Sequence, residues 1–344
     1  MGGAGARRPV VAAQVGSGSM RAVVLRDKGG PEVLGIEDVP DPVPGPEDLL
    51  VEVAATALNR ADLLQRRGAY PGPPMAREIP GLEFAGRVAA IGERVAGWSV
   101  GDHVMGIVGG GGYAQRLTIH ERQALPVPTR VQVADAAAIP EVFLTAFDAL
   151  VVQGGLTSGR WALVHAGASG VGTAAIQIAR ALGARVVVTT SAGKVDACRQ
   201  LGADEVVDYG ADDFVAGVRR VTEGRGVDVV LDVVGGEYLE RNIDALASKG
   251  RILQVGVMGE AVASFPLGKL LGKRASLIGT VLRARPLEEK AELSQRFTTE
   301  MLPRFDDGSL RPVIDSRYPL DAIADAHRYM ETNANVGKIV IDVA

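Results

Sequence analysis

The stretch from Trp161 to Ser191 constrains the fold more than any other, because a strand, a glycine-rich turn and a helix follow one another there. Residues 161–165 form a short apolar run typical of a buried strand, and the apolar residues after the turn recur at helical spacing until Gly183. A second apolar run follows at residues 184–188. The pattern predicts a βαβ unit of about 30 residues.

The turn itself reads Ala166-Gly-Ala-Ser-Gly-Val-Gly172, which departs from the usual G-x-G-x-x-G because Ser169 replaces the second glycine and another glycine follows it. We expect Gly167 to permit the tight bend and Gly172 to let the helix pack close to the strand. The helix N-terminus offers free N–H groups and a partial positive charge to a pyrophosphate. The predicted cofactor contacts in the turn are Gly167, Ser169, Gly170, Val171 and Gly172. The alternative is a glycine-rich connection that binds nothing.

The chain of 344 residues is long enough for two domains. Short strands broken by turns precede residue 128, and strands alternate with helices after residue 160, which predicts a mostly-β domain and a parallel, doubly wound sheet. We predict a disordered leader at residues 1–19, a catalytic domain formed by residues 20–140 and 287–344, and a dinucleotide-binding domain at residues 141–286.

Composition excludes several functional classes. A net charge of −4 gives no electrostatic reason to expect nucleic acid as a partner. The single cysteine, Cys198, excludes an internal disulfide and any multi-cysteine zinc cluster, which fits a reducing cytosol. No segment reaches the roughly 18 uninterrupted apolar residues of a membrane span. We therefore expect a cytoplasmic enzyme with small-molecule partners.

The end of the second strand of the βαβ unit indicates which cofactor is bound. Folds that prefer NAD place Asp or Glu there, but no acidic residue occurs here before Asp196. The hydroxyl of Ser191 and the cation of Lys194 suit the 2′-phosphate of NADPH instead. The alternative for Lys194 is an exposed charge at a helix start.

Several motifs together resemble the medium-chain dehydrogenase/reductase superfamily, namely Gly81-Leu-Glu-Phe-Ala-Gly86, Val100-Gly-Asp-His-Val104, the glycine turn and Gly337-Lys-Ile-Val340. Within it, residues 58–66, 138–147 and 165–177 resemble the quinone oxidoreductases, most of all the p53-inducible type. The resemblance covers nearly everything after Met20. It implies a GroES-like barrel domain beside a Rossmann domain.

The resemblance also assigns site residues. Asn59 and Tyr70 line the active site of the relatives, and Asp62 lies three positions after Asn59. A tyrosine matching Tyr209 contacts the 2′-phosphate, and the regions of Gly256-Val257-Met258 and Asn335 approach the cofactor. Thr145 is a candidate for contact with the nicotinamide amide. The alternatives are a capping pair for Asn59 and Asp62, loop packing for Tyr70 and a hydrogen bond within its own helix for Thr145.

The zinc site of the superfamily's alcohol dehydrogenases has no counterpart here. Their ligands are Cys, His and Cys or a carboxylate, and their G-H-E motif corresponds to Gly81-Leu82-Glu83. Leu82 has no donor atom, no cysteine lies in the first domain, and the four histidines lack paired spacing. We therefore expect no metal.

Without a metal, a quinone is the acceptor that needs least assistance, because its conjugated ring spreads the incoming charge over two oxygens. The sequence thus predicts an NADPH-dependent quinone oxidoreductase that contributes proximity, orientation and a dry slot. Two alternatives stay open: an NADPH-dependent reductase of conjugated alkenes, and an NADPH-binding sensor or structural protein with little turnover. The strand predicted at residues 276–281 would form a sheet edge, and relatives join two sheets there, so we expect a homodimer.

Overall fold

The structure is a computed structural model that describes residues 18–344. Residues 1–17 of the predicted leader therefore lie outside the described part. Its last residue, Ser19, already belongs to the first strand.

Short strands separated by turns make up the first part of the described chain, as the sequence predicts. Buried and partly exposed residues alternate along most of the third strand, the pattern of a sheet with one face in the core. One helix, α1 (Arg60–Arg66), interrupts the series. The strands are β1 (Ser19–Leu25), β2 (Leu34–Pro40), β3 (Asp48–Ala57), β4 (Glu83–Ile91), β5 (His103–Ile107), β6 (Arg116–His120) and β7 (Leu125–Pro126).

A broken helical segment connects this part to the glycine turn. It consists of α2 (Val133–Ala136), α3 (Pro140–Phe147) and a π-helix (Asp148–Gln153). Pro140 occupies the first position of α3, where its missing N–H is not needed, so α2 and α3 are separate helices. Phe143 and Phe147 are buried and meet Phe305 and Phe297 edge to face, with ring centres 4.9 and 5.7 Å apart.

Strands and helices alternate from Trp161 onward. The strands are β8 (Trp161–Val164), β9 (Arg185–Thr190), β10 (Glu205–Asp208), β11 (Val227–Asp232), β12 (Leu246–Gln254) and β13 (Ser276–Gly279). The helices are α4 (Gly170–Ala181), α5 (Val195–Leu201), α6 (Phe214–Val221), α7 (Tyr238–Ala245) and α8 (Leu267–Lys273). All six strands are parallel, in the order β10-β9-β8-β11-β12-β13. This is the predicted doubly wound sheet.

The last part of the chain returns to the first sheet. It contains α9 (Leu287–Glu300), α10 (Pro303–Asp306), β14 (Ile314–Pro319), α11 (Ile323–Glu331) and β15 (Lys338–Asp342). β15 pairs antiparallel with β3, and the seven-stranded sheet runs β14-β15-β3-β4-β5-β7, with β6 also paired to β3. The predicted fold class, a mostly-β unit beside a doubly wound parallel sheet, is confirmed. The domain boundaries stay predictions.

A single apolar cluster reaches from one sheet to the other. It contains Ala55 and Met105 of the first sheet, Phe143 and Phe147 of α3, and Ile176 of α4. Burial of such side chains stabilises a fold by about 1.5–3 kcal/mol each for the larger ones, so α3 is held between the first sheet and α4. Among residues 18–344, no helix is both long enough and apolar enough to cross a membrane.

Candidate active site

The glycine turn joins the carboxyl end of β8 to α4. A Cβ atom added at Gly172 would lie 2.3 Å from the carbonyl oxygen of Ala166, and one added at Gly167 would lie 2.6 Å from Cβ of Val188. Such distances exclude a side chain at either position, so the turn packs directly against strand and helix. Ser169 is the N-cap of α4, and its hydroxyl accepts the N–H of Gly172 at 3.0 Å. A helix start of this kind can hold a phosphate group.

The tight bend falls on Ala166 and not on Gly167, where we expected it. Ala166 has a φ of 55°, in the left-handed region that favours glycine, whereas Gly167 has no positive φ. Gly167 is needed for another reason, its close approach to Val188. Gly170, three residues later, lies close to α3 and β15. A Cβ atom added there would lie 2.8 Å from side-chain atoms of Val142 and of Lys338.

The proposed 2′-phosphate contacts follow the ends of two neighbouring strands. Ser191 follows β9 and Tyr209 follows β10. Because these strands pair in parallel, both residues lie at the carboxyl ends of the strands. Tyr209 is 55% exposed. The Lys194 ammonium donates to the carbonyl oxygens of Asn333 and Asn335 at 2.6 and 2.7 Å. Because an ammonium has three N–H donors, one remains for a further acceptor.

The other predicted cofactor contacts also lie near the carboxyl ends of the parallel strands. Gly256, Val257 and Met258 follow β12, and the last two are about half exposed. Asn335 is buried, and its side chain donates to the carbonyl oxygen of Gly337 at 2.8 Å. The Gly337 N–H in turn donates to the carbonyl oxygen of Ala168 at 2.9 Å. The loop before β15 therefore rests on the glycine turn, although the Asn335 amide itself is engaged within the loop.

Asn59 and Asp62 lie at the start of α1, and the Asp62 carboxylate accepts the backbone N–H of Asn59 at 2.8 Å. Asp62 is fully buried and also accepts the Tyr113 hydroxyl at 3.0 Å. Burial raises the pKa of Asp62 to about 6. The carboxyl of Asp62 thus faces the interior of the β-unit, in the capping role that the sequence left open as an alternative.

A buried polar network surrounds Glu83, the first residue of β4. Its carboxylate accepts the Asn59 side-chain amide at 2.8 Å, the Lys338 ammonium at 2.7 Å and the backbone N–H of Glu141 at 2.8 Å. The Lys338 ammonium also donates to the Leu58 carbonyl and the Asn59 side-chain oxygen, at 2.6 and 2.7 Å. Glu83 is fully buried and Lys338 is 2% exposed, so every donor of the ammonium is used away from water.

Tyr70 lies in the loop between α1 and β4, beneath an arginine from the doubly wound part. The guanidinium carbon of Arg283 lies 5.0 Å from the centre of the Tyr70 ring, within cation–π range. Arg283 also donates to the carbonyl oxygen of Gly109 at 2.7 Å and to the Gln65 side chain at 2.8 Å. Arg283 follows β13, so these contacts connect the segment after the parallel sheet to the loops on either side of β4 and to α1.

Thr145 lies on α3, one turn after Glu141. These are the only two partly exposed residues of this helix, and the other six positions are buried. Residues four apart lie on one face of a helix. Burial, followed by the nearby carboxylate of Glu83, raises the pKa of Glu141 to about 8, against the opposing charges of Lys338 and Arg283.

The structure thus brings Asn59 together with Glu83, Lys338 and Glu141, and Tyr70 together with Arg283. The sequence analysis selected none of these four partners. A signal existed for two of them, since Glu83 and Lys338 open strands whose other residues are mostly buried. An ionised side chain in such a run requires a partner of opposite charge. No sequence signal identifies Arg283 or Glu141.

His165 lies away from these groups, in the core of the doubly wound part. Its two ring nitrogens lie 2.9 Å from the Thr189 hydroxyl and 2.7 Å from the Asn242 side-chain oxygen. Burial lowers its pKa. This is a satisfied core histidine.

The donor set does not fit a catalytic zinc ion. Leu82 is buried and offers no lone pair, and its neighbour Glu83 is already bound to an ammonium. In the part of the chain that the structure describes, no three His, Cys, Asp or Glu side chains are grouped so that they could hold a metal ion.

Two family models match the sequence. The alcohol dehydrogenase GroES-like domain matches residues 45–129, and the zinc-binding dehydrogenase family matches residues 201–341. A quinone oxidoreductase of Lama guanicoe is 33% identical over 328 residues, which cover 94% of this chain and 97% of that protein. The synaptic vesicle membrane protein VAT-1 homolog of Rattus norvegicus is 31% identical over 341 residues, which cover 94% of this chain and 84% of that protein.

Solved structures resemble the fold over nearly its whole length. An NAD-dependent alcohol dehydrogenase superposes with a TM-score of 0.84 at 35% identity, covering 94% of this chain and 100% of that chain. A mycobacterial protein complexed with NADPH has a TM-score of 0.84 at 31% identity, with coverage of 94% and 100%. The enoyl reductase CurK has a TM-score of 0.84 at 28% identity, with coverage of 94% and 99%.

Proposed function

This chain belongs to the medium-chain dehydrogenase/reductase superfamily, and on that premise we propose that it is a zinc-independent NADPH:quinone oxidoreductase. The superfamily uses a nicotinamide cofactor and small-molecule substrates. The choice of NADPH, the absence of zinc and the quinone acceptor are our proposals.

The observation that carries the proposal is the partner of Glu83. In this chain the segment corresponding to the G-H-E motif holds Leu82 and a carboxylate that is neutralised by Lys338 at 2.7 Å. Leu82 thus stands where the zinc-dependent branch has the histidine of that motif, and the carboxylate beside it is already paired with an ammonium. Reduction of an ordinary ketone or aldehyde would lack the Lewis acid that stabilises its oxyanion, whereas a quinone distributes that charge itself.

The residues that would hold the cofactor lie at the carboxyl ends of the strands of the doubly wound sheet. The N–H groups at the start of α4, with Ser169 as cap, would hold the pyrophosphate. Ser191, the remaining N–H of Lys194 and the hydroxyl of the exposed Tyr209 would hold the 2′-phosphate, since residues 191–195 offer no carboxylate for ribose hydroxyls. The NADPH-complexed mycobacterial relative supports this choice.

In the proposed reaction, bound NADPH supplies a hydride to the acceptor. The protein's own part is to hold the acceptor beside α3, to cover it with Tyr70, and to keep water out of the mouth that Arg283 bridges. Thr145, partly exposed on α3, would orient the nicotinamide amide by a hydrogen bond. Asn59, fixed between Glu83 and Lys338, keeps these elements in place.

A second candidate activity is reduction of a conjugated alkene. The similarity to the CurK enoyl reductase favours it, and a conjugated enone presents the same flat acceptor with charge delivered to an oxygen. The proposed metal-free site would serve either reaction.

We further propose that the protein is a homodimer joined at β13. This strand forms one edge of the parallel sheet, and Leu277 on it is 41% exposed. Val262, Leu267 and Leu271 nearby in sequence are 80%, 67% and 75% exposed. A second copy pairing at this edge would satisfy its backbone groups and cover the apolar side chains.

The test of function is NADPH oxidation measured against a panel of quinones, enones, aldehydes and alcohols, with NADH in parallel. We expect turnover with quinones and none with simple aldehydes. Turnover with enones alone would establish the second activity. NADPH binding without turnover on any acceptor would replace both by a binding protein.

A further inference from the structure

Glu141 is placed at the meeting point of α3, the glycine turn and the buried network. Its backbone N–H donates to Glu83 at 2.8 Å, which fixes the first turn of α3. Its neighbour Val142 lies so close to the turn that a Cβ at Gly170 would be 2.8 Å from it. Glu141 and Thr145 are the two positions of α3 that are not buried, and they share one face. Glu141 therefore shares its face of α3 with Thr145, the residue proposed to meet the nicotinamide amide.

The Glu141 carboxyl accepts no hydrogen bond from any residue of 18–344, and several charged or titratable groups face it. These are Glu83 of β4, Lys338 of β15, Asp62 of α1, Arg283 after β13 and Tyr70 of the covering loop. Burial and the Glu83 carboxylate raise the pKa of Glu141 more than Lys338 and Arg283 lower it, and the pKa is raised to about 8. At neutral pH the side chain of this partly exposed residue thus carries a proton.

The other ionisable groups of the site are poorly suited to give up a proton. Asp62 is fully buried and accepts two hydrogen bonds. Burial raises the pKa of Tyr113 well above its ordinary value and lowers the pKa of His327 to about 3, and both are fully buried. The pKa of Tyr70 is also raised by burial.

We propose that Glu141 is the acid that protonates the reduced acceptor. The proposal rests on the proposed function, because it concerns the acceptor of that reaction. The acceptor gains a hydride from the reduced nicotinamide dinucleotide, and its oxyanion then takes the proton from the Glu141 carboxyl as the O–H bond of that carboxyl breaks. One hydride and one proton convert a quinone to a hydroquinone, or an enone to an enol that becomes the ketone. Water reprotonates Glu141 through its exposed side.

The experiment compares wild type with Glu141→Gln, Glu141→Asp and the control Glu300→Gln, which removes an exposed carboxylate of α9. A general acid contributes about 10²–10⁴-fold to the rate, so we expect Glu141→Gln to lower kcat at least about 100-fold with an unchanged Kd for NADPH. The wild-type rate should fall as pH rises through about 8, because the donor then loses its proton. Glu141→Asp should recover part of the rate and keep that fall, and Glu300→Gln should resemble wild type.

A second measurement does not depend on turnover. Infrared titration of the cofactor-free protein should show a protonated-carboxyl band that disappears at about pH 8 in wild type and is absent in Glu141→Gln. The proposal is overturned if that band persists in the variant, or if the variant keeps the wild-type rate and pH profile. If the proposed function is wrong, wild type itself will reduce no acceptor. That result is distinguishable from the others, and it would also remove the proton-donor role of Glu141.

Discussion

Replacing Lys338 by methionine should destabilise the protein strongly, because it leaves the Glu83 carboxylate buried without a cation. The ammonium contacts Glu83 at 2.7 Å, and the two side chains are 3% and 0% exposed. Removing one partner of a buried ion pair costs about 3–5 kcal/mol. Since folded proteins are stable by only about 5–15 kcal/mol, Lys338→Met should remove a large part of the free energy of unfolding.

A double-mutant cycle separates the interaction free energy of the ion pair from the contribution of the packed methylene groups of the two side chains. Glu83→Gln should cost less, about 1–3 kcal/mol, because Lys338 keeps its bonds to the Leu58 carbonyl and the Asn59 side chain. In the double variant no ion is left unpaired, so it should be more stable than the sum of the two losses by about 2–3 kcal/mol.

The assay is urea unfolding followed by the fluorescence of the two tryptophans, one in each part of the chain. The matched control is the exposed pair Arg328 and Asp325, 55% and 66% exposed, whose cycle should give a coupling near about 0.5 kcal/mol or less. Additive losses for Lys338 and Glu83, or a Lys338→Met variant as stable as wild type, would refute the claim that this pair is held as ions out of water.

The remaining predictions concern the cofactor, the metal, the covering loop and the subunit contact. Lys194→Glu should weaken NADPH binding far more than NADH binding in fluorescence titrations, and equal losses would contradict the phosphate assignment. Dialysis against a chelator should leave quinone reduction unchanged, because Leu82 provides no ligand; loss of activity restored by zinc would show the opposite. Tyr70→Ala should raise KM for quinones or lower kcat, and unchanged kinetics would mean that Tyr70 only packs in its loop. Leu277→Asp should shift the protein towards monomer in sedimentation, whereas an unchanged mass would place any dimer contact elsewhere.

Sequence reasoning located elements whose cause is local. The glycine turn and the strands on either side of it follow from residue types within a few positions of one another. β14 was missed because Ile314–Pro319 alternates only between partly exposed and exposed residues, which leaves too weak an apolar pattern. Its place in the sheet depends on β15 beside it.

The site residues that were missed depend on contacts between distant parts of the chain. Asn59 was selected as a candidate, but its partners Glu83 and Lys338 come from two other strands. Their pairing appears only when β15 lies against β3. Arg283 likewise meets Tyr70 across the two parts of the chain. No spacing rule relates residues that far apart.

The return of β15 to the first sheet also sets an order of assembly during translation. All six strands of the parallel sheet precede β15 in the chain, so they leave the ribosome while β3 still lacks β15 as one of its neighbours. Until Lys338 emerges, the Glu83 carboxylate, which accepts the Glu141 N–H in the first turn of α3, has no counterion. A nascent chain would therefore complete the strands of its parallel sheet before it completes the buried network around Glu83.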